Sequence, residues 1–253
     1  MVVVNMPTDW SVLAIVAAVF GAAGWIKGVI GLGLPTIATG MLGLFMAPVQ
    51  AASIVVLPAL LTNVWQMLYG PGFVMLLRRL WPMLACVLIG TVPTAGIVSK
   101  GDVRVTVAAL GVALIVYTLH ALIGPNVRVS RGAEPLVGAL AGLANGIISG
   151  TTGVFVVPTL PFLQAIDLSK DELVQAIGIT AFTSAAALTL GLGVHGALRM
   201  EAVLPAGIAV ISALAGMLVG QGVRARLSVE VFRRWVLIGL MGLGAIMVAR
   251  AFF

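Results

Sequence analysis

Hydrophobic segments follow one another along almost the whole chain, and only short polar connections separate them. We predict ten such segments, at 10–32, 35–47, 49–68, 81–98, 103–123, 135–151, 154–166, 172–193, 201–222 and 229–252. Most contain the roughly 20 apolar residues that a helix needs to cross a bilayer. Because lipid offers no partner to backbone N–H and C=O groups, segments of this kind must be helical. The pattern predicts an all-α polytopic membrane protein of about 8–10 segments, forming a single transmembrane domain over residues 1–253.

Two of the segments, 35–47 and 154–166, contain only about 13 residues each. As helices they would reach about 20 Å, which is less than the hydrocarbon core of a bilayer. Each follows a glycine-rich break, GLGLP at 31–35 and GTTG at 150–153. We therefore expect broken half-helices at these two places. Whether the short segments cross the membrane fully stays open.

The two breaks lie in stretches of similar sequence. AAGWIKGVIGLGLP in the first half aligns with LAGLANGIISGTTG in the second half. In this alignment Gly24 matches Gly142, and Lys27 falls opposite Asn145. We interpret the similarity as an internal repeat, so that the two halves of the protein are pseudo-symmetric.

Positive charges predict the orientation of the repeats. Repeat 1 covers about 10–123 and repeat 2 about 135–252, joined by the polar linker 124–133. Arginines lie in the linker and in the connections 69–80 and 222–234, which predicts that all three are cytoplasmic. This requires five segments in each half, so that the second half is inverted and both termini lie outside. The alternative is two parallel four-helix halves whose short segments only dip into the membrane.

The composition agrees with a membrane protein and disfavours several other functions. The chain is 61% hydrophobic and 9% charged, with a mean hydropathy of +1.18. We attribute the net charge of +6 to arginines that set orientation and contact lipid headgroups, and expect no nucleic-acid partner. The motifs HExxH, CxxC and GxSxG do not occur, so we predict no enzyme activity, no metal and no cofactor. The predicted location is the inner (cytoplasmic) membrane, as a multi-pass protein in contact with lipids, and a homodimer is left open.

Lys27 is the most informative residue of the sequence. About 17 apolar or small residues precede it without a charge, from Trp10 to Ile26. A lysine at that depth costs a few kcal/mol even on the mildest insertion scale, so it should face the protein interior or a watery cavity. All acidic residues fall at predicted segment ends or in loops. We therefore expect an anion that binds and leaves to offset the charge of Lys27; the alternative is that Lys27 snorkels to the membrane interface.

An anion that crosses a membrane needs substitutes for its hydration, namely a cation, amide and hydroxyl donors, and free backbone N–H groups at helix starts. We expect Lys27 to supply the charge and Asn145 to supply amide donors. Half-helices beginning near Pro35 and Val154 would point their positive N-termini inward. Further residues predicted to bind substrate are Thr151, Thr152, Asn63, Gln66, Trp65, Gly31, Gly33, Ser149 and Thr183. The alternative is that these polar groups bond neighbouring helices and that the glycines allow close packing.

The paired glycine motifs resemble those of a known family. GWIKGVIGLGLP with the short segment after it, and GLANGIISGTTGVFVVPTLPFLQA in the second half, are similar to the motifs of the TauE/SafE sulfite-exporter family of membrane proteins. The resemblance spans essentially the whole chain. It implies a secondary transporter that moves a small organic or sulfur-containing anion, such as sulfite, a sulfonate or a sulfoacetate-like compound, by alternating access. The alternatives are a non-transporting membrane assembly subunit and a lipid-phosphate translocase.

Overall fold

The computed structural model describes residues 10–31, 33–68, 72–100, 102–123, 128–155, 158–197, 202–224 and 228–252, and within these ranges the chain is helical with no strand. The helices are α1 (Trp10–Ile30), α2 (Leu34–Leu42), α3 (Pro48–Leu68), α4 (Phe73–Lys100), α5 (Val103–Ile123), α6 (Glu134–Thr152), α7 (Thr159–Ala165), α8 (Lys170–Val194), α9 (Val203–Arg224) and α10 (Val229–Phe252). This order confirms the all-α polytopic fold. Each half contains one long helix, one short helix and three further long helices.

Six of the described helices are long and apolar enough to cross a membrane. They cover Trp10–Ile30, Pro48–Leu68, Phe73–Ile97, Arg104–Ile123, Asp171–Val194 and Val203–Val223. Helices of this length satisfy their own backbone hydrogen bonds, which is the requirement that lipid imposes. The chain is therefore a multi-pass membrane protein.

Several predicted boundaries differ from the structure, and the first short helix, α2, already ends at Leu42 instead of residue 47. Helix α4 begins at Phe73 instead of residue 81, so Arg78 and Arg79 lie on a helix and not in a connection. Arginine has a high helix propensity and its stem can cover apolar surface, so these charges do not end the helix. Parts of the three arginine-bearing connections, at 69–71, 124–127 and 225–227, lie outside the described residues.

The second half-helix does not begin near Val154, as the sequence led us to expect. Gly153 ends α6 in a left-handed conformation, with φ 74°, which glycine adopts at low cost. Val154 and Phe155 are not helical, and α7 begins only at Thr159, after Pro158. The second break is consequently longer than the first, where α2 starts directly after Gly33.

Helices from opposite halves pack most extensively, α1 against α9 and α4 against α6. Glycines allow this packing. A Cβ atom on Gly24 of α1 would overlap the backbone carbonyl of Ala213 in α9, and one on Gly142 of α6 would overlap that of Met83 in α4. The two glycines that the repeat alignment matched thus occupy equivalent helix seams, where small residues let backbones approach closely.

Matched contacts also give the relative directions of the helices. In the α1–α9 seam, Gly28 meets Met217 one turn beyond the contact of Gly24, so residue numbers rise in the same direction along both helices. Helices α1 and α9 therefore run parallel, and the α4–α6 seam shows the same order. Helices α5 and α10 run in opposite directions, since Gly111 lies beside Val248 while Ile115 lies beside Gly244. Helices α5 and α10 hold equivalent places in the two halves.

We predict that Gly142→Ala lowers the free energy of unfolding by roughly 1–3 kcal/mol, because the added methyl group forces α4 and α6 apart. The measurement is thermal unfolding of the purified protein in detergent. Gly207→Ala in α9 is the matched control, since a Cβ there meets nothing within 4 Å, and alanine is the better helix former. Equal melting temperatures for the two variants would show that the seam tolerates separation.

Candidate functional site

Lys27 lies in the last turn of α1 and is only 5% exposed. Its Nζ donates to Asn63 Oδ1 at 2.6 Å and to Thr62 Oγ1 at 3.1 Å. Both acceptors belong to α3 and are buried. Lys27 therefore points into the protein, and its described hydrogen-bond partners are neutral oxygen atoms.

Asn63 has a second polar atom that the structure leaves unused. Its Oδ1 faces Lys27, and its Nδ2 is buried without a hydrogen-bond partner. A buried donor without a partner costs about 1–3 kcal/mol. An acceptor that arrived beside Lys27 could recover that cost, because the amide group then would satisfy both of its ends.

A second buried polar atom without a hydrogen-bond partner lies at the start of α2, nine residues after Lys27 in the sequence. Thr36 Oγ1 is unpaired, and Thr36 is 1% exposed. The first turn of α2 borders a cavity of about 320 Å³, open space at its mouth included, whose other walls come from α1, α5 and α10. Those walls are formed by Ile26, Ile30, Tyr117, Val236, Leu237 and Leu240. Gly33 precedes the turn with φ 98° and Gly31 has φ 90°, so the two predicted glycines shape this break.

The second half places Asn145 in the corresponding position. Asn145 on α6 is fully buried, and its Nδ2 donates to Ser184 Oγ on α8 at 3.1 Å. The first helix of each half thus sends a polar side chain to the third helix of the same half. Lys27 and Asn145, which the sequence alignment placed opposite each other, take equivalent roles in structure, but one carries a charge and the other does not.

Four predicted hydroxyl groups bond locally instead of pointing at Lys27. Thr151, Thr152 and Thr183 donate to the carbonyls four residues earlier, at 2.8, 2.6 and 2.8 Å. Ser149 Oγ lies 2.9 Å from Thr91 Oγ1 of α4 and 3.1 Å from its own helix at Gly146 O. These contacts support the alternative interpretation, in which membrane-helix hydroxyls satisfy backbone or neighbouring helices.

Gln66 and Trp65 also lie apart from the Lys27 contacts. Gln66 Nε2 donates to Val174 O at 3.0 Å, and this bond is exposed. Trp65 is 63% exposed, which suits an indole that faces lipid or the interface. Gln175 completes the connection, because its side chain accepts from Gly72 N and donates to the backbone carbonyl of Met67. These bonds join the end of α3 to the start of α8.

The two broken regions meet inside the protein. Thr39 in the middle of α2 donates to Gly153 O at 3.3 Å, at the point where α6 ends. A Cβ on Gly153 would also touch the side chains of Thr39 and Ala52. The short helix of the first half therefore packs against the break of the second half.

None of the described hydrogen bonds of Lys27 involves a carboxylate. Glu134, at the start of α6, forms a bidentate ion pair with Arg79 at 2.8 Å for both bonds. Arg79 also donates to Ile166 O, just after α7. This ion pair ties the two ends of the α6–α7 region together at one side of the protein. Among the described residues, no three His, Cys, Asp or Glu side chains group closely enough to hold a metal ion.

The residues predicted to bind substrate included Lys27, Asn63 and Asn145 but not Thr62, Ser184 or Thr36. Thr62 and Ser184 are small polar residues in apolar helices, and such residues occur at many helix contacts. Nothing in the sequence says which of them meets a charged side chain. One sequence feature could have indicated Thr62, namely that it directly precedes Asn63.

We predict strong energetic coupling between Lys27 and Asn63. Asn63→Leu should destabilise the protein by roughly 2–3 kcal/mol, because it removes a hydrogen bond to a buried charge. The double variant Lys27→Met/Asn63→Leu should recover most of this loss, since it removes both polar partners. Thermal or chemical unfolding of the parent, both single variants and the double variant gives the coupling energy.

The neutral pair of the second half is the matched control for this cycle. Asn145→Leu and Ser184→Ala should couple by only about 0.5–1.5 kcal/mol, the usual range for a hydrogen bond between uncharged groups. A Lys27–Asn63 coupling no larger than this would mean that the ammonium does not depend on α3.

Comparison with known proteins gives one match. The family model described as "Sulfite exporter TauE/SafE" matches residues 15–247 of the 253-residue chain. No curated protein and no solved structure matches the chain. The matched region includes all the polar contacts described above, and the family consists of transporters and not of enzymes. The chain therefore belongs to the TauE/SafE sulfite exporter family of membrane transporters.

Proposed function

We propose that this protein is a secondary transporter that carries a small sulfur-containing or organic anion across the cytoplasmic membrane, and that Lys27 binds the anion. Family membership supports transport of a sulfite-like anion. The observation that carries the assignment to Lys27 is its burial with neutral partners only among the described hydrogen bonds. A buried cation is stabilised most by an opposite charge, and an anionic substrate supplies one.

Binding would rearrange the hydrogen bonds of the site. The ammonium group has three donors, of which two face Thr62 and Asn63. An anion beside Nζ would accept from Lys27 and from the free Nδ2 of Asn63. Charge-assisted bonds of this kind are shorter and roughly twice as strong as neutral ones. In the empty site the ammonium group bonds two neutral oxygen atoms, and an anion would add the opposite charge that these oxygens do not supply.

Alternating access needs two arrangements of the helices around a fixed site, and inverted repeats provide them by exchanging the conformations of the two halves. The antiparallel packing of α5 and α10 supports an inverted relation. In parallel repeats, two equivalent membrane helices would run in the same direction. We extend the proposal accordingly: the halves are inverted. Each of the helix seams α1–α9 and α4–α6 holds one helix of the first half against one helix of the second half.

We predict that Lys27→Met abolishes anion-dependent stabilisation and transport while the protein still inserts and folds. Methionine keeps much of the apolar stem but removes the charge. The measurement is the melting temperature of the parent and of the variant against increasing concentrations of sulfite and methanesulfonate, since a ligand that binds only the folded state stabilises it by RT ln(1 + L/Kd), where L is the free ligand concentration.

Arg104→Met is the control for general charge effects, because Arg104 is exposed at the start of α5. It should leave the anion response unchanged. Asn145→Leu should have a milder effect than Lys27→Met, since it removes donors but no charge. Equal anion-induced shifts in the parent and in Lys27→Met would exclude Lys27 as the anion site. No response in the parent would favour a non-transporting membrane subunit.

The orientation of the repeats has its own test. Asp102, before α5, and Ser228, before α10, are exposed and hold equivalent places in the two halves. In a Cys86→Ala background, we expect Asp102→Cys to react with a membrane-impermeant thiol reagent from outside and Ser228→Cys only from the cytoplasm. Labelling of both positions from the same side would support parallel halves.

A further inference from the structure

Each half of the protein contains one contact between a polar side chain of its first helix and polar side chains of its third helix, and we call these two contact sites stations. The two stations differ by one charge. In the first half, Lys27 of α1 contacts Thr62 and Asn63 of α3. In the second half, Asn145 of α6 contacts Ser184 of α8. Lys27 is the only buried lysine or arginine among the side chains that the structure describes. Of the two stations, only the one in the first half therefore contains a basic side chain.

The two stations lie on helices that pack against each other. Helices α3 and α8 are in extensive contact, and the end of α3 meets the start of α8, since Gln66 lies beside Val174 and Gly178. Because the end of α3 lies beside the start of α8 and the two helices stay in contact over a long stretch, they must run antiparallel. Continued along that course, Ser184 comes opposite the part of α3 about one turn before Asn63, a distance of about 6 Å along the helix axis.

We propose that this site selects monoanions over dianions of the same shape, and that Asn145 is a specificity-determining residue because it withholds a second positive charge. The inference rests on the proposed function, since it concerns the anion that Lys27 binds. The favoured class comprises singly charged sulfonates, bisulfite and monocarboxylates. Sulfate and other dianions are disfavoured, although they offer as many hydrogen-bond acceptors.

The physical reason is charge balance in a dry environment. Lys27, Asn63, Asn145 and Ser184 are each at most 5% exposed, so water does not screen charges at either station. One ammonium group neutralises one negative charge. The second charge of a dianion would remain uncompensated in a medium of low dielectric constant, where an unpaired charge is expensive. Amide and hydroxyl donors reduce this cost but do not cancel a full charge.

The wild-type protein provides the first test, with two probes of nearly equal shape. Methanesulfonate is a monoanion, and sulfate is a dianion in which an oxygen replaces the methyl group. We expect methanesulfonate to bind at least about tenfold more tightly than sulfate, measured by calorimetry or by thermal shift at constant ionic strength. Equal affinities that both depend on Lys27 would overturn the monoanion inference and leave the proposed function intact. Absence of binding by either probe would instead contradict the proposed function.

Asn145→Lys provides the second test, because it adds the missing charge. The sulfate affinity should rise by at least about tenfold and the preference for methanesulfonate should shrink or reverse. Asn145→Met is the matched control, as it introduces a long side chain without a charge and should keep the wild-type preference. If Asn145→Lys folds and its preference matches that of Asn145→Met, Asn145 does not determine specificity and the proposal is wrong.

A charge-swap variant keeps the test decisive if two buried lysines prevent folding. Lys27→Asn/Asn145→Lys carries the same number of charges as the wild type, with the lysine moved to the second half. If both stations face one substrate, this variant should bind methanesulfonate in preference to sulfate, whereas Lys27→Asn alone should bind neither. Failure of the folded swap variant to bind methanesulfonate would show that Asn145 does not face the substrate.

Discussion

The absence of water in the hydrocarbon core is the constraint on which the rest of this structure depends. Because lipid offers no hydrogen-bond partner, each backbone or side-chain polar group must find one within the protein. The threonines of α6 and α8 meet this demand by donating to carbonyls one turn earlier in their own helices. Against this background of satisfied groups, the unpaired Asn63 Nδ2 and Thr36 Oγ1 stand out as candidates for ligand contact.

The same constraint explains why glycine, and not apolar side chains, governs how the helices associate. Lipid tails are as apolar as leucine, so helices gain little from burying leucine and gain more from close backbone packing. Gly24 and Gly142 provide such packing in equivalent seams that join a helix of one half to a helix of the other. The seams fix the first helix of each half and hence the positions of Lys27 and Asn145, which lie three residues after these glycines.

The two halves depart from symmetry at one pair of equivalent contacts. Both halves send a polar side chain from their first helix to their third, but only the first half sends a charge. The described hydrogen-bond partners of Lys27 are neutral oxygens, so an opposite charge is left to be supplied. Membership of the TauE/SafE family agrees with a substrate that supplies it. The paired seams and the antiparallel α5 and α10 are the packing features on which the proposed exchange of conformations between the halves rests.

The sequence by itself determined the membrane class, the order of long and short helices and the family, and it singled out Lys27 as a candidate anion ligand. Each of these follows from local information: the length of apolar runs, glycine-rich breaks and a charge within an apolar stretch. The start of α7 was missed, because the sequence does not show how far the chain continues after Gly153 before it becomes helical. Only the tertiary structure decided that Lys27 contacts Thr62 and Asn63, and that Ser184 receives Asn145. Those contacts depend on the rotation and depth of one helix against another, which are set by packing between residues far apart in the chain.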